Sequence, residues 1–275
     1  MKKKMFALPY IIWMILFTVV PLILVLIYAF VDMTDTGNVV ITLDYIKTAF
    51  SADNITVLLR SLEYALITTI ICLLLSYPAA MFLSKLKSNI GAIICLLFIL
   101  PMWINFLLRV LALQMILANT GILNGILNFF GLPSQHLLYT RTAILIGMTY
   151  DYLPFMILPI YNAMCKIDRD LIHAAADLGA GSKLIFRKII LPLSMPGVIS
   201  GIIMVFVPSI SEFAIADILG GSKILLIGNV IEQEFSLTNN WHLGSGLSIV
   251  LMVFIFISMA VMNKNDAEGE GQMIW

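Results

Sequence analysis

The stretch from Cys165 to Gly197 reads CKIDRDLIHAAADLGAGSKLIFRKIILPLSMPG, a polar and patterned segment set between two long apolar runs. Asp168 is placed to cap a helix over residues 169–178, in which Ile172, Ala175 and Leu178 recur at helical spacing. Gly179 and Gly181 supply the left-handed or tight backbone that ends it. Ser182 is placed to cap a second short helix through Leu191, and Pro192 is expected to stop it. Two short helices in an L or V result, and the small residues Ala174 to Ala176 let a partner surface approach closely. Residues 164–193 are long for a plain connection, and patterned loops of that length usually carry function.

The flanking runs set the fold class. Of 275 residues, 61% are hydrophobic and 12% charged, with a mean hydropathy of +1.01. Soluble domains are about a quarter charged, so this chain has too little polar surface to coat a globule in water. A membrane crossing needs about 20 apolar residues. Six runs qualify, at about 6–31, 61–84, 90–118, 142–163, 194–217 and 245–262. The first follows Met1-Lys-Lys-Lys but is too long for a signal peptide and lacks a small-residue cleavage site, so it reads as an uncleaved first span. Pro9, Pro21, Pro78, Pro101, Pro154, Pro159 and Pro208 lie in or near the runs and predict kinked helices around a pathway. The expected fold is an all-α membrane protein of six transmembrane helices with a two-helix cytoplasmic loop. Residues 1–262 form one domain, and the acidic tail 263–275 is expected to fray.

Basic residues orient the spans. Lys2, Lys3, Lys4, Lys85, Lys87, Lys166, Arg169, Lys183, Arg187, Lys188 and Lys264 fall on one side. Lys47, Arg60, Arg141 and Lys223 fall on the other, and Arg109 lies inside a run. The positive-inside rule then puts both termini and the patterned loop in the cytoplasm. With 16 basic and 16 acidic residues no net field points to nucleic acid. Cys72, Cys95 and Cys165 have no metal-ligand spacing and read as small apolar side chains, with no disulfide framework. His136, His173 and His242 are not clustered with carboxylates, which argues against a metal site or an intramembrane enzyme. No P-loop is present, and Gly179-Ala-Gly-Ser-Lys183 lacks the spacing and the preceding strand of one.

The patterned loop resembles the coupling motif of binding-protein-dependent ABC importer permeases: Glu-Ala-Ala, three residues, Gly, nine residues, Ile, any residue, Leu, Pro. Here His173-Ala174-Ala175 is followed at those spacings by Gly179, Ile189, Ile190, Leu191 and Pro192. Only the first carboxylate is missing. His173 in its place either hydrogen-bonds or is a tolerated contact. The stretches Leu100-PMWINFLLR-Val110, Tyr152-LPFMILPIY-Asn162 and Asp217-ILGGSKILLIGNVI-Glu232 are similar to the first permease subunit of spermidine/putrescine importers. The resemblance implies the type I ABC importer permease architecture and a membrane subunit that moves polyamines without catalysing a reaction. It implies a partner ATPase dimer that binds ATP and Mg, no cofactor on this chain, a homologous second permease and an extracellular or periplasmic binding protein. In such a complex the loop transmits ATPase closure to the spans.

Glu63, Arg109, Asp151 and Glu212 sit within apolar runs, where charge is costly and usually faces a pathway or a partner. If Arg109 pairs with one carboxylate, another is left over, and carboxylates with aromatic faces can receive amine groups. Asp151 and Glu212, with Trp103, Tyr150 and Tyr152, are therefore candidate pathway residues, although rings in membrane spans more often pack. Glu63 is expected to pair with Arg60 one turn away. The external stretch 219–232 is expected either to dip back against the spans, to join a docking surface, or to form an amphipathic lid. A permease for another solute of the same family, or a self-contained secondary transporter, remains open on sequence.

Overall fold

The computed structural model describes residues 9–33, 39–86 and 88–271; Lys2, Lys3, Lys4 and Lys87 lie outside them. In hydrocarbon every backbone N–H and C=O must be satisfied within its own segment, so the apolar runs become helices. The first, α1 (Pro9–Phe30), carries a π-helical stretch at Ile15–Val19 just before Pro21. A two-stranded antiparallel hairpin follows, β1 (Val31–Met33) with β2 (Val39–Ile41), and then a short helix α2 (Asp44–Ala49). The second span, α3 (Ala52–Lys85), starts nine residues before the apolar run and has 34 residues. At 1.5 Å per residue it is about 51 Å long, well beyond the ~30 Å hydrocarbon layer.

The third run, expected as one helix over 90–118, is broken. It forms α4 (Ser88–Ile99), a 3-10 turn at Leu100–Trp103 and α5 (Phe106–Leu117). Pro101 stands in the first turn of the 3-10 segment, and the Asn105 side chain accepts from the N–H groups of Leu107 and Leu108, capping a new helix. A further helix, α6 (Ile122–Phe129), continues beyond a turn at residues 118–121. Gly91 on α4 packs against the Leu83 carbonyl and the Tyr161 hydroxyl, whereas Gln114 on α5 donates to the Ile218 carbonyl. The third run is thus α4 and α5 in series, and the stretch long and apolar enough to cross a membrane falls at Phe106–Phe129, beyond the break.

The fourth span, α7 (Arg141–Cys165), is the axis of the bundle. More than half of its apolar window is buried, while α1, the most apolar span, buries none of its own. That inversion is physical: a helix facing lipid has to be apolar all round, and an inner one does not. The patterned segment forms α8 (Arg169–Asp177) and enters the fifth span, α9 (Ser182–Ile210). The fifth run, expected over 194–217, therefore begins earlier and stops at Ile210. After a break, α10 (Ala214–Gly220) and α11 (Ile227–Ser236) follow. Of the three readings of residues 219–232, dipping back is observed: Leu219, Leu226, Ile227 and Asn229 are all buried. The last helix, α12 (Trp241–Gly271), continues into the segment expected to fray as far as Gly271, since that segment has no proline and no glycine before Gly269; the rest of the tail lies outside the described residues.

Span four meets span five through glycines. A side chain at Gly197 would lie 2.5 Å from both the Pro159 carbonyl oxygen and the Ala163 methyl carbon, and one at Gly201 would strike Met156. The Gly197-x-x-x-Gly201 spacing lets the two backbones touch. Gly197→Ala is expected to destabilise the protein by about 1–3 kcal/mol, because the backbone carbonyl it meets has no rotamer to escape into. A lowered thermal midpoint of the solubilised complex measures it, and Gly125→Ala, in open space, is the control.

Candidate functional site

The patterned loop is built from local signals. The Asp168 carboxylate accepts from the Asp170 N–H at 2.9 Å and starts α8 as expected. Its end is a Schellman arrangement: Ala180 N–H donates to the Ala175 carbonyl at 3.0 Å and Gly179 N–H to the Ala176 carbonyl at 2.9 Å. Gly179 has φ +83°, the left-handed region that favours glycine. Ile172 and Ala175 turn toward the spans, while His173, Ala174, Ala176 and Gly179 are exposed and Leu178 is 89% exposed.

The second half of the loop departs from the sequence reading in two respects. The N-cap is Gly181, not Ser182. Pro192 does not stop the helix. A π-helical stretch at Phe186–Ile190 precedes it, with Leu191 N–H donating to the Phe186 carbonyl, and the helix continues to Ile210. The wider π turn re-pairs backbone groups just before the residue that has no N–H to offer. Ile189 and Leu191 are half-buried and Pro192 is exposed. The second half of the loop is therefore one piece with span five.

Two side chains clip that helix to the second span. The Tyr77 hydroxyl lies 3.0 Å from Ser194 Oγ, and the Tyr77 ring meets Phe186 edge-on at 6.0 Å. Arg169 Nη2 donates to the Ser84 carbonyl at the end of α3. Sequence reading passed over Tyr77, although a tyrosine within an apolar helix is a signal that its hydroxyl needs a partner.

A second constellation lies inside the bundle. Arg109 on α5 reaches Asp151 on α7, Nη2 to Oδ1 at 2.7 Å, with both side chains nearly buried. The approach is off the hydrogen-bonding axis, and Arg109 Nε has no protein partner. The guanidinium also lies 5.9 Å from the centre of the Phe106 ring one turn before it. Glu212 sits in the break between α9 and α10. It accepts from the Tyr152 hydroxyl at 2.6 Å and from the Ile215 N–H at 3.0 Å, so it caps α10 from inside the protein. Arg109 is thus paired with Asp151, while Glu212 has no cation partner among the described residues. Of the candidate pathway residues, Asp151, Glu212 and Tyr152 come together; Trp103 and Tyr150 are exposed on the bundle's outside.

Glu63 does not pair with Arg60. It binds Arg141 at 2.6 Å, whose guanidinium also covers the Tyr64 ring, while Arg60 donates to the Leu225 carbonyl. The start of span four brings Arg141 within reach, and the Arg60 guanidinium is engaged by the Leu225 carbonyl instead. Both Glu63 and Arg141 are about half exposed, so the pair contributes only about 0–1 kcal/mol.

Comparison with known proteins places these features. Residues 4–266 match the family described as binding-protein-dependent transport system inner membrane component. The chain is 40% identical over 253 residues to the spermidine/putrescine transport system permease protein PotB of Haemophilus influenzae, covering 90% of this chain and 88% of that protein. It is 36% identical over 260 residues to PotB of Escherichia coli strain K12, covering 90% and 92%. A subunit of a bacterial alginate ABC transporter, solved in complex with a pentasaccharide-bound periplasmic protein, superposes with a TM-score of 0.70 at 18% identity, over 95% of this chain and 92% of that one.

Proposed function

The chain belongs to the family of binding-protein-dependent transport system inner membrane components, and we propose from that membership that its cargo is a polyamine of the spermidine/putrescine class. It is a multi-pass permease subunit of an ABC importer, not an enzyme, and such a subunit works with an ATPase and a substrate-binding protein. The observation that carries the polyamine reading is the similarity to spermidine/putrescine permeases over 90% of the chain. The charged cluster agrees with it: one arginine against two carboxylates leaves negative character where a polycation passes.

In the mechanism, a partner ATPase dimer binds ATP and Mg and grips the exposed crest of α8, from His173 and Ala174 to Gly179. A homologous second permease completes the pathway, and both termini lie in the cytoplasm. Because α8 joins α9 directly through the Gly179 turn, closure of the ATPases passes through that turn to a single rod about 44 Å long. Ile189, Leu191 and Pro192 form its bend, Tyr77 ties it to α3, and Gly197 ties it to α7. Rocking of this unit opens the pathway outward, and ATP hydrolysis resets it. Glu212, Asp151 and Tyr152 then lie where α10 hinges on the crossing helices.

The test is uptake by the complete complex in proteoliposomes with ATP inside. Labelled spermidine or putrescine is expected to accumulate and to be competed by the unlabelled polyamines alone. Equal competition by sulfate or a sugar would assign the chain to another cargo of the same family, and uptake without ATP would contradict the coupled mechanism.

A further inference from the structure

A cavity of about 970 Å³ lies beneath the patterned loop, between α8, the first turns of α9 and the adjoining ends of α3 and α7. Its volume is at the upper end of small-molecule sites. Lys85, Arg169, His173 and Lys183 line it, and no carboxylate does. Lys85 and Lys183 have no ion-pair partner among the described residues. The first turn of α9, at Ser182 and Lys183, adds the positive end of a long helix to the same wall. The rest of the lining is largely apolar, Met81 and Phe186 among it.

We propose that this cavity binds one anionic phospholipid of the cytoplasmic leaflet. Three fixed cations and a histidine without a neutralising carboxylate call for an anion. A soluble anion such as phosphate would use the rim and leave the apolar walls wet, whereas a phospholipid satisfies both: the headgroup phosphate meets the lysines and an acyl chain covers Met81 and Phe186. Bound there, the lipid braces α8 against α3 from beneath while the opposite face of α8 stays open. The site is separate from the cargo pathway.

The test uses the complete purified complex in nanodiscs of phosphatidylcholine, with or without phosphatidylglycerol, and native mass spectrometry to count retained lipid. One phosphatidylglycerol per copy of this chain is expected on the wild type. Lys85→Gln/Lys183→Gln is expected to weaken retention about 30-fold, equivalent to about 1 kcal/mol for each cation near an anionic lipid. Met81→Trp, which keeps the charges and fills the apolar wall, is expected to weaken it too. Equal retention by wild type and variants, equal retention of phosphatidylcholine, displacement by inorganic phosphate, or no retained lipid at all would each overturn the proposal. Polyamine uptake plays no part in this readout, so the lipid site and the cargo assignment fail separately.

Discussion

Valine in place of Gly179 is expected to lower polyamine uptake by roughly 5- to 30-fold while the complex still assembles and still hydrolyses ATP. A side chain there would meet no atom within 4 Å, so crowding inside this chain is not the cause. The backbone is: φ +83° costs an L-residue about 1–2 kcal/mol, and more for a β-branched one. Relieving that strain would undo the two bonds from Gly179 and Ala180 to the α8 carbonyls, and with them the pose of Leu178. Converted at 1.4 kcal/mol per tenfold, 1–2 kcal/mol gives the stated range. Gly179→Asn separates backbone from bulk, since asparagine tolerates the left-handed region. Near-normal uptake by the asparagine variant with loss in the valine variant assigns the effect to the turn. Normal uptake by the valine variant would remove Gly179 from the coupling contact.

What the sequence made legible and what it did not follow from where the determining forces lie. The cap at Asp168 and the left-handed turn at Gly179 are local, decided by a side chain reaching two residues and a missing Cβ, so residue types alone identify them. Pro192 shows the limit of local rules. Proline ends helices when its neighbours cannot re-pair, but the π turn at Phe186–Ile190 does re-pair them and converts an expected joint into a rod. No residue type announces a π turn. The broken third crossing was within reach, because Pro101 followed by Asn105 is a stop and a cap in sequence, yet the apolar run hid it.

Long-range pairing was least legible. Glu63 had Arg60 one turn away and chose Arg141 instead, 78 positions distant. Tyr77 and Ser194 meet across 117 positions. Lys85, Arg169 and Lys183 appeared in sequence only as orientation signals, and their convergence on one cavity depends on how α8 folds back beneath the spans. The six runs, by contrast, were all found. Hydrocarbon imposes length and composition on each span separately, before any packing is decided.

Replacing Arg109 by methionine is expected to cost about 3–5 kcal/mol, because it leaves the Asp151 carboxyl in a nearly dry site with no counter-cation. Asp151→Asn alone strands the guanidinium and is expected to cost a similar amount. The double variant Arg109→Met/Asp151→Asn should recover most of the loss, since exchanging a buried ion pair for groups of similar shape is often neutral. Thermal midpoints of the solubilised complex for the four proteins form a double-mutant cycle, and its non-additivity isolates the pair. Losses that simply add would mean the 2.7 Å contact contributes nothing specific. The same set divides packing from passage. If the double variant is as stable as wild type and imports polyamine normally, Asp151 serves only to hold α5 against α7. If it is stable but imports poorly, Asp151 acts on the cargo as well as on Arg109. Normal import by Asp151→Asn combined with Glu212→Gln would exclude both carboxylates from the pathway and leave Glu212 as the cap of α10, bonded to Tyr152 and Ile215.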